Sequence, residues 1–361
     1  MMEGIVPAEI VEGPAAIRET LTESRDAARQ IASELRSRGV TRIHVIGNGT
    51  SYHSSLAAAT LYRRHAEAGD PTVVALTAGE FRHYLPALGP TDAIVGISAS
   101  GEFRDVVAVV EALKGRACTI AIVHVPGSTL DRTADHVVRS AGGPSRVPVM
   151  TKTFASTLVA AELVLAELLG GERAERIRDG IARAADHAEA AIAEGSPRVM
   201  DLADALAGVR HLFVVGSGAA HPAALEAALK LKEMAIVHAE GTESWEMASG
   251  VATIIDAESV VIALAPNGPG RTATLDVARH AAGWGARVIE VAPVASIEGA
   301  DLLPIPAAAE EDHASLTTVP PVALLAFALA RLRGHDPDHP GWVERYHSQG
   351  LRHIVTLGKE S

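Results

Sequence analysis

Twice along this chain a short aliphatic strand runs into a glycine-rich turn and straight on into a helix. The first copy is TRIHVIGNGTSYHSSLAAATLYRRHAEAG, with Ile43–Ile46 as the strand, and the second is HLFVVGSGAAHPAALEAALKLKE. A further pair repeats as well: SVVIALAPNGPG, 259–270, matches the earlier strand that leads into SASGE. Gly216 follows Gly47 by 169 residues, and Val261 follows Val95 by 166. Two strand–loop landmarks at nearly equal spacing indicate an internal duplication.

The remaining pattern fits two copies of an open α/β sheet. PTVVAL at 71–76, AIVGISASGE at 93–102, ACTIAIVHV at 117–125 and HVV at 136–138 read as further strands. Strands alternating with helical stretches imply a doubly wound parallel sheet flanked by helices. Residues 5–40 read as helix, and the Ala/Glu/Arg-rich stretch 153–207 as helices bridging the halves. The expected organisation is a helical segment at 1–40, a first domain at 41–170, a helical linker at 171–207, a second domain at 208–335 and a Pro/His/Asp-rich tail at 336–361. A chain of 361 residues suits two domains. Aromatic residues make up only 3% of it, so Ala, Val, Leu and Ile must build both cores. Parallel sheets buried on both faces use such aliphatic runs.

Composition also narrows the partners. With 32 basic and 44 acidic residues the net charge is −12, which argues against nucleic acid and anionic membranes. Aromatic stacking platforms for single strands are absent from such a composition. Small anions stay open, because backbone amides hold a phosphate without a basic patch. Cys118 is the single cysteine, so neither an internal disulfide nor a Cys-rich metal site is expected. The start, MMEGIVPAEI, lacks a secretory pattern, and apolar runs are broken by charge or Pro short of a membrane span. A cytoplasmic location is expected.

In open parallel sheets ligands bind at the carboxyl ends of strands, where strand order reverses. Two loops rich in hydroxyls and glycine fall there: Gly47-Asn48-Gly49-Thr50-Ser51 and Ser98-Ala99-Ser100-Gly101-Glu102. Amides at the following helix start, with Ser and Thr hydroxyls, would hold an anion. The same residues also make helix caps and tight turns. Neither loop is a Walker sequence or a full dinucleotide fingerprint, and no GxSxG elbow occurs. No cofactor is called for. The histidines at 53, 221, 238, 313, 347 and 353 show no metal-binding spacing.

ALEAALKLKEMAIVHAE, 224–240, reads as one long helix, apolar nearly all round. Glu226, Lys230 and Glu233 fall on one face at i, i+4 and i+7. A carboxylate beside an ammonium on a buried helix could shuttle a proton next to a carbonyl. A structural Glu226–Lys230 ion pair on a solvated edge is the alternative.

With these landmarks the chain resembles the sugar-isomerase (SIS) family. It is similar to the isomerase half of glucosamine-6-phosphate synthase, and to amino-sugar-phosphate deaminases and fructosamine deglycases. The resemblance runs through GNGTSYH at 47–53, GEFR at 79–82, SASGE at 98–102, TKTF at 151–154, GSG at 216–218, the 224–240 segment and RHIVT at 352–356. It implies two flavodoxin-like domains, a homodimer, and a sugar phosphate bound by the first-half loops and closed over by the second half. Gly49, Thr50, Ser51, Ser98 and Ser100 would hold the phosphate, with Thr151 and Lys152 bordering the sugar. Glu233 would be the base that moves a proton between C1 and C2, and Lys230 would orient the substrate or tune that carboxylate.

The chain departs from the family at several positions. The isomerase pattern begins almost at once, so no glutaminase domain is expected. Where relatives read SQSGET, Ala99 and Phe103 replace Gln and Thr, and Arg104 beside them adds a cation. Met150 replaces a Ser. In Glu246-Met247-Ala248-Ser249-Gly250-Val251, Ser249 stands where the family's ring-opening His lies, and His353 stands at the Schiff-base Lys. A histidine forms no stable imine, though it titrates near neutrality. Isomerisation or deamination of a sugar phosphate is therefore expected rather than amination. A sugar-phosphate sensor without catalysis is the other class.

Overall fold

The computed structural model describes residues 2–84, 86–348 and 356–357. In chain order the first half runs α1 (Ile5–Glu23), α2 (Arg25–Ser37), β1 (Arg42–Gly47), α3 (Thr50–His65), β2 (Thr72–Thr77), α4 (Ala78–His83), β3 (Asp92–Ile97), α5 (Arg104–Leu113), β4 (Cys118–Val123), α6 (Thr129–Thr133), β5 (His136–Arg139) and α7 (Lys152–Leu169). The second runs α8 (Gly171–Leu206), β6 (His211–Val215), α9 (Ala220–Ala235), β7 (His238–Thr242), α10 (Ser244–Ser249), β8 (Ser259–Leu264), α11 (Arg271–Gly283), β9 (Arg287–Ala292), β10 (Asp301–Pro304), α12 (Ala314–Thr317) and α13 (Val319–Leu332), with α14 (Trp342–Ser348) beyond.

Both sheets are parallel, ordered β2-β1-β3-β4-β5 and β10-β9-β8-β6-β7. Counted from the first strand of each half, the two orders are the same, 2-1-3-4-5, the flavodoxin-like arrangement. The α/β reading and the duplication hold. The spacing is refined by register: Ile46 pairs with Gly96 and Val215 with Ala263, which places β8 167 rather than 166 residues after β3. Every residue of β3, β4 and β8 is buried, as strands covered on both faces require. Cys118 lies among them, and burial pushes its thiol up to about 11.

The chain divides into two compact units. One gathers residues 15–145, 152–182 and the described residues from Trp342 on, around the first sheet. Within it α7 packs on α2 and α3. The other gathers the described residues up to Pro14, 146–151 and 183–341, around the second sheet, with α13 packed on α9. In this second unit the Asp338 carboxylate accepts from the Ile5 and Val6 amides, both at 2.8 Å, and so caps α1.

Two expectations from the sequence are corrected. The 224–240 helix stops at Ala235, because Ile236 takes a left-handed conformation (φ 50°), and 238–242 then form β7 against β6. The expectation that Pro and charge break every long apolar run also fails. Residues Glu311–Leu332 are long and apolar enough, by length and composition, to cross a membrane. Pro320 and Pro321 lie in the first turn of α13, where a proline's missing N–H costs nothing, so the helix runs on. Here 83% of that apolar window is buried inside the chain's own core.

Candidate active site

In the first unit the two loops lie where the topology puts a ligand, at the carboxyl ends of β1 and β3, the neighbours at which strand order reverses. Gly47 ends β1, and a Cβ there would stand 2.6 Å from the Ser51 carbonyl, so only glycine lets strand and helix come this close. Gly49 precedes α3 with φ 53°, and Thr50 and Ser51 open the helix, both buried. Their amides sit at the positive end of a four-turn helix.

The Ser98–Glu102 loop is held from several sides. The Ser98 amide donates to Ile122 O at 3.1 Å, the His124 amide to Ala99 O at 2.9 Å and the Leu130 amide to Gly101 O at 2.9 Å. Ser98 Oγ accepts from the Gly101 amide at 3.1 Å, and Ser100 Oγ accepts from the Glu102 amide at 3.3 Å. Each hydroxyl acts there as an acceptor, which leaves its own proton to donate. The Glu102 carboxylate is turned away to α6, accepting from the Thr129 amide and hydroxyl at 2.9 and 2.7 Å. Arg104 opens α5, and its buried Nε has no hydrogen-bond partner among the described residues. A buried guanidinium N–H without a partner among the described residues is a donor short of an acceptor. Leu357 approaches the same loop, its amide donating to Glu102 O at 2.8 Å beside a Phe103–Thr356 bridge.

In the second unit α9 carries the charged stripe. Lys230 Nζ lies 3.1 Å from Glu226 and 2.6 Å from Glu233. Glu226 and Lys230 are 0% and 1% exposed, whereas Glu233 keeps 24%. This is no ion pair on a solvated edge. Burial alone would push the Lys230 ammonium down, but the charges of Glu226 and Glu233 outweigh it and hold the group above the ordinary lysine value. Two carboxylates and one ammonium carry a net charge of −1. A proton taken up at Glu233, the member that reaches solvent, brings the cluster to neutrality.

Other candidates are placed as follows. Ser249 is exposed at the end of α10, and its hydroxyl donates to Trp245 O at 2.7 Å. Thr151 has a buried Oγ1 without a partner among the described residues, and Lys152 is buried at the start of α7. His353 lies outside the described residues. One group that the sequence did not single out is Glu311, whose buried carboxylate accepts from the Gly270 amide at 2.6 Å and the Ala219 amide at 3.3 Å. The glycines of APNGPG were the available signal.

The SIS domain family model matches residues 34–166 and 205–330. The glutamine–fructose-6-phosphate aminotransferase [isomerizing] of Methanothermobacter thermautotrophicus is 35% identical over 336 residues, which cover 92% of this chain and 55% of that protein. The chain thus spans about half the length of the curated relatives it matches. Among solved structures, the C-terminal domain of the glucosamine-fructose-6-phosphate aminotransferase from Francisella tularensis is similar with a TM-score of 0.85 at 22% identity, over 94% of this chain and 99% of that one. The tagatose-6-phosphate ketose/aldose isomerase of Escherichia coli gives a TM-score of 0.79 at 20% identity, over 94% and 95% of the two chains.

Proposed function

Because the chain belongs to the SIS domain family, we propose that it is a phosphosugar isomerase, interconverting an aldose and a ketose phosphate. The observation that carries this reading is the buried Glu226–Lys230–Glu233 cluster, with one carboxylate reaching solvent. The isomerising activities named for its relatives supply the substrate class, a six-carbon sugar with a terminal phosphate.

In this reading Thr50, Ser51, Ser98, Ser100 and Arg104, with the amide at Gly49–Thr50, hold the phosphate, and Thr151 and Lys152 border the sugar. Glu233 takes a proton from the carbon beside the carbonyl. The electron pair left behind forms the C1–C2 double bond, and the carbonyl oxygen gathers the charge of an enediolate. The hydroxyl proton passes between the two oxygens, and Glu233 returns its proton to the neighbouring carbon. Lys230 holds Glu233 in place and offsets the negative charge of the cluster. In an amino-sugar phosphate the same transfer would leave an imine at C2, and water adding to that carbon would release ammonia and leave the ketose phosphate. The protein acts as a cytoplasmic homodimer on this reading.

The test is proton NMR in D₂O with hexose phosphates and amino-hexose phosphates. Loss of the C1 or C2 proton signal with wild type, and its retention with Glu233→Gln, supports the reading, and released ammonia assigns deamination. A sugar phosphate that raises the melting temperature and never exchanges would instead make the chain a sensor.

A further inference from the structure

The second unit repeats the ligand crevice of the first. Gly216 and Gly218 stand where Gly47 and Gly49 stand, and a Cβ on Gly216 would lie 2.5 Å from the Ala220 carbonyl, much as on Gly47. Gly49 and Gly218 share their left-handed φ, 53° and 58°. By ladder register Gly268, Gly270 and Arg271 answer to Gly101, Phe103 and Arg104. The backbone of an anion site is therefore present a second time, at the carboxyl ends of β6 and β8. Its hydroxyls are not: Ala219, Ala220 and Ala265 replace Thr50, Ser51 and Ser98.

This crevice already contains an anion. The Glu311 carboxylate is 4% exposed and accepts from Gly270 N at 2.6 Å and Ala219 N at 3.3 Å. These two amides open α11 and α9, and their first-half counterparts are the amides of Phe103 and Thr50. No Lys or Arg among the described residues forms an ion pair with Glu311, so backbone amides alone hold this buried charge, as they hold phosphates elsewhere. Three glycines make room for it. A Cβ on Gly218 would stand 2.1 Å from Oε1, one on Gly268 2.3 Å from the Glu311 Cβ, and one on Gly270 3.0 Å from Oε2. The segment bearing Glu311 is fastened to the loop: Glu311 N donates to Asn267 O at 2.8 Å, Asn267 N to Ala309 O at 3.1 Å and Asn267 Nδ2 to Ala307 O at 2.7 Å.

We propose that the second crevice is an oxyanion site of the same design as the first, occupied by the chain's own Glu311, and that it takes a free phosphate once that side chain is removed. A tethered carboxylate competes at high effective concentration, so a free anion does not enter the intact protein. Each chain accordingly offers one crevice for a ligand and keeps the other filled.

The test counts inorganic phosphate bound per chain by calorimetry, with thermal unfolding beside it, for wild type, Glu311→Ala and Glu311→Gln. Glu311→Ala should unfold at a lower temperature in phosphate-free buffer, bind one phosphate more per chain than wild type, and recover its melting temperature as phosphate is raised. Glu311→Gln, which keeps the crevice filled, should bind no more than wild type. An alanine variant with no added phosphate, or a glutamine variant with one, overturns the proposal. If the alanine variant does not fold without phosphate, refolding it with phosphate decides: recovery supports the proposal, and equal failure overturns it. Because the count is a difference from wild type, the outcome is independent of the proposed isomerase activity.

Discussion

The two halves share one strand order and one strand–glycine–helix turn, yet polar groups are distributed oppositely in them. In the first half the hydroxyls crowd the start of α3, and its body is apolar or surface-exposed: Ala57, Leu61 and Arg64 occupy the positions of Glu226, Lys230 and Glu233. In the second half α9 opens on alanines and carries its charges in the body. One scaffold thus carries hydroxyls at a helix start in one copy and a buried charge cluster along the helix in the other. The lesson is that the fold fixes where a ligand can sit, while a few side chains on it decide which task each copy performs.

The division can be broken at several points. Glu233→Gln should lower turnover by about 10²–10⁴-fold, the usual worth of a general base, with substrate binding largely kept. Lys230→Met should destabilise the fold by about 3–5 kcal/mol, because it removes the ammonium from a buried ion pair with Glu226. Adding Glu226→Leu should recover most of that loss in denaturant titrations. Ser98→Ala with Ser100→Ala should raise KM for a sugar phosphate about 10–100-fold with kcat little changed, as expected for lost hydrogen bonds to an anion.

Two smaller effects sharpen the comparison. Helix α3 ends in an extended residue, Ala66, whereas α9 ends on Ile236 with φ 50°, an awkward conformation for a β-branched side chain. Ile236→Gly should stabilise the protein by about 1 kcal/mol, read from its unfolding midpoint. The helix after the second strand is capped by a neutral hydroxyl in one half, Thr77, and by a carboxylate in the other, Glu243. Burial would push Glu243 up, but the Ser217 hydroxyl and the amides of Trp245, Glu246 and Ser244 outweigh it and hold the carboxyl below its ordinary 4.5. A depressed folded-state value means stability that is present above 4.5 and lost as pH falls through the lowered value. Melting temperature against pH should lose this acid slope in Glu243→Gln and keep it in Thr77→Ala.

Much of this architecture was legible because its causes are local. Aliphatic runs leading into glycine-containing turns marked β1, β3, β6 and β8, and the i, i+4, i+7 spacing put Glu226, Lys230 and Glu233 together. The end of α9 was not legible, since EMAIVHAE contains neither Gly nor Pro and its β7 half is set by pairing with β6. Burial of Glu226 and Lys230 was equally hidden, for it depends on the elements packed around α9, α13 far along the chain among them. Glu311 sits in an acidic EEDH run that reads as a solvated turn. Its meaning depends on amides 41 and 92 residues away.

The filled crevice at Glu311 also bears on how the protein breathes. An empty anion site leaves helix-start amides facing water, and such loops open readily until a ligand orders them. A site closed by its own side chain has no such dependence. The Gly270 and Ala219 amides, held by the Glu311 carboxylate, should therefore keep their protons whether or not substrate is present.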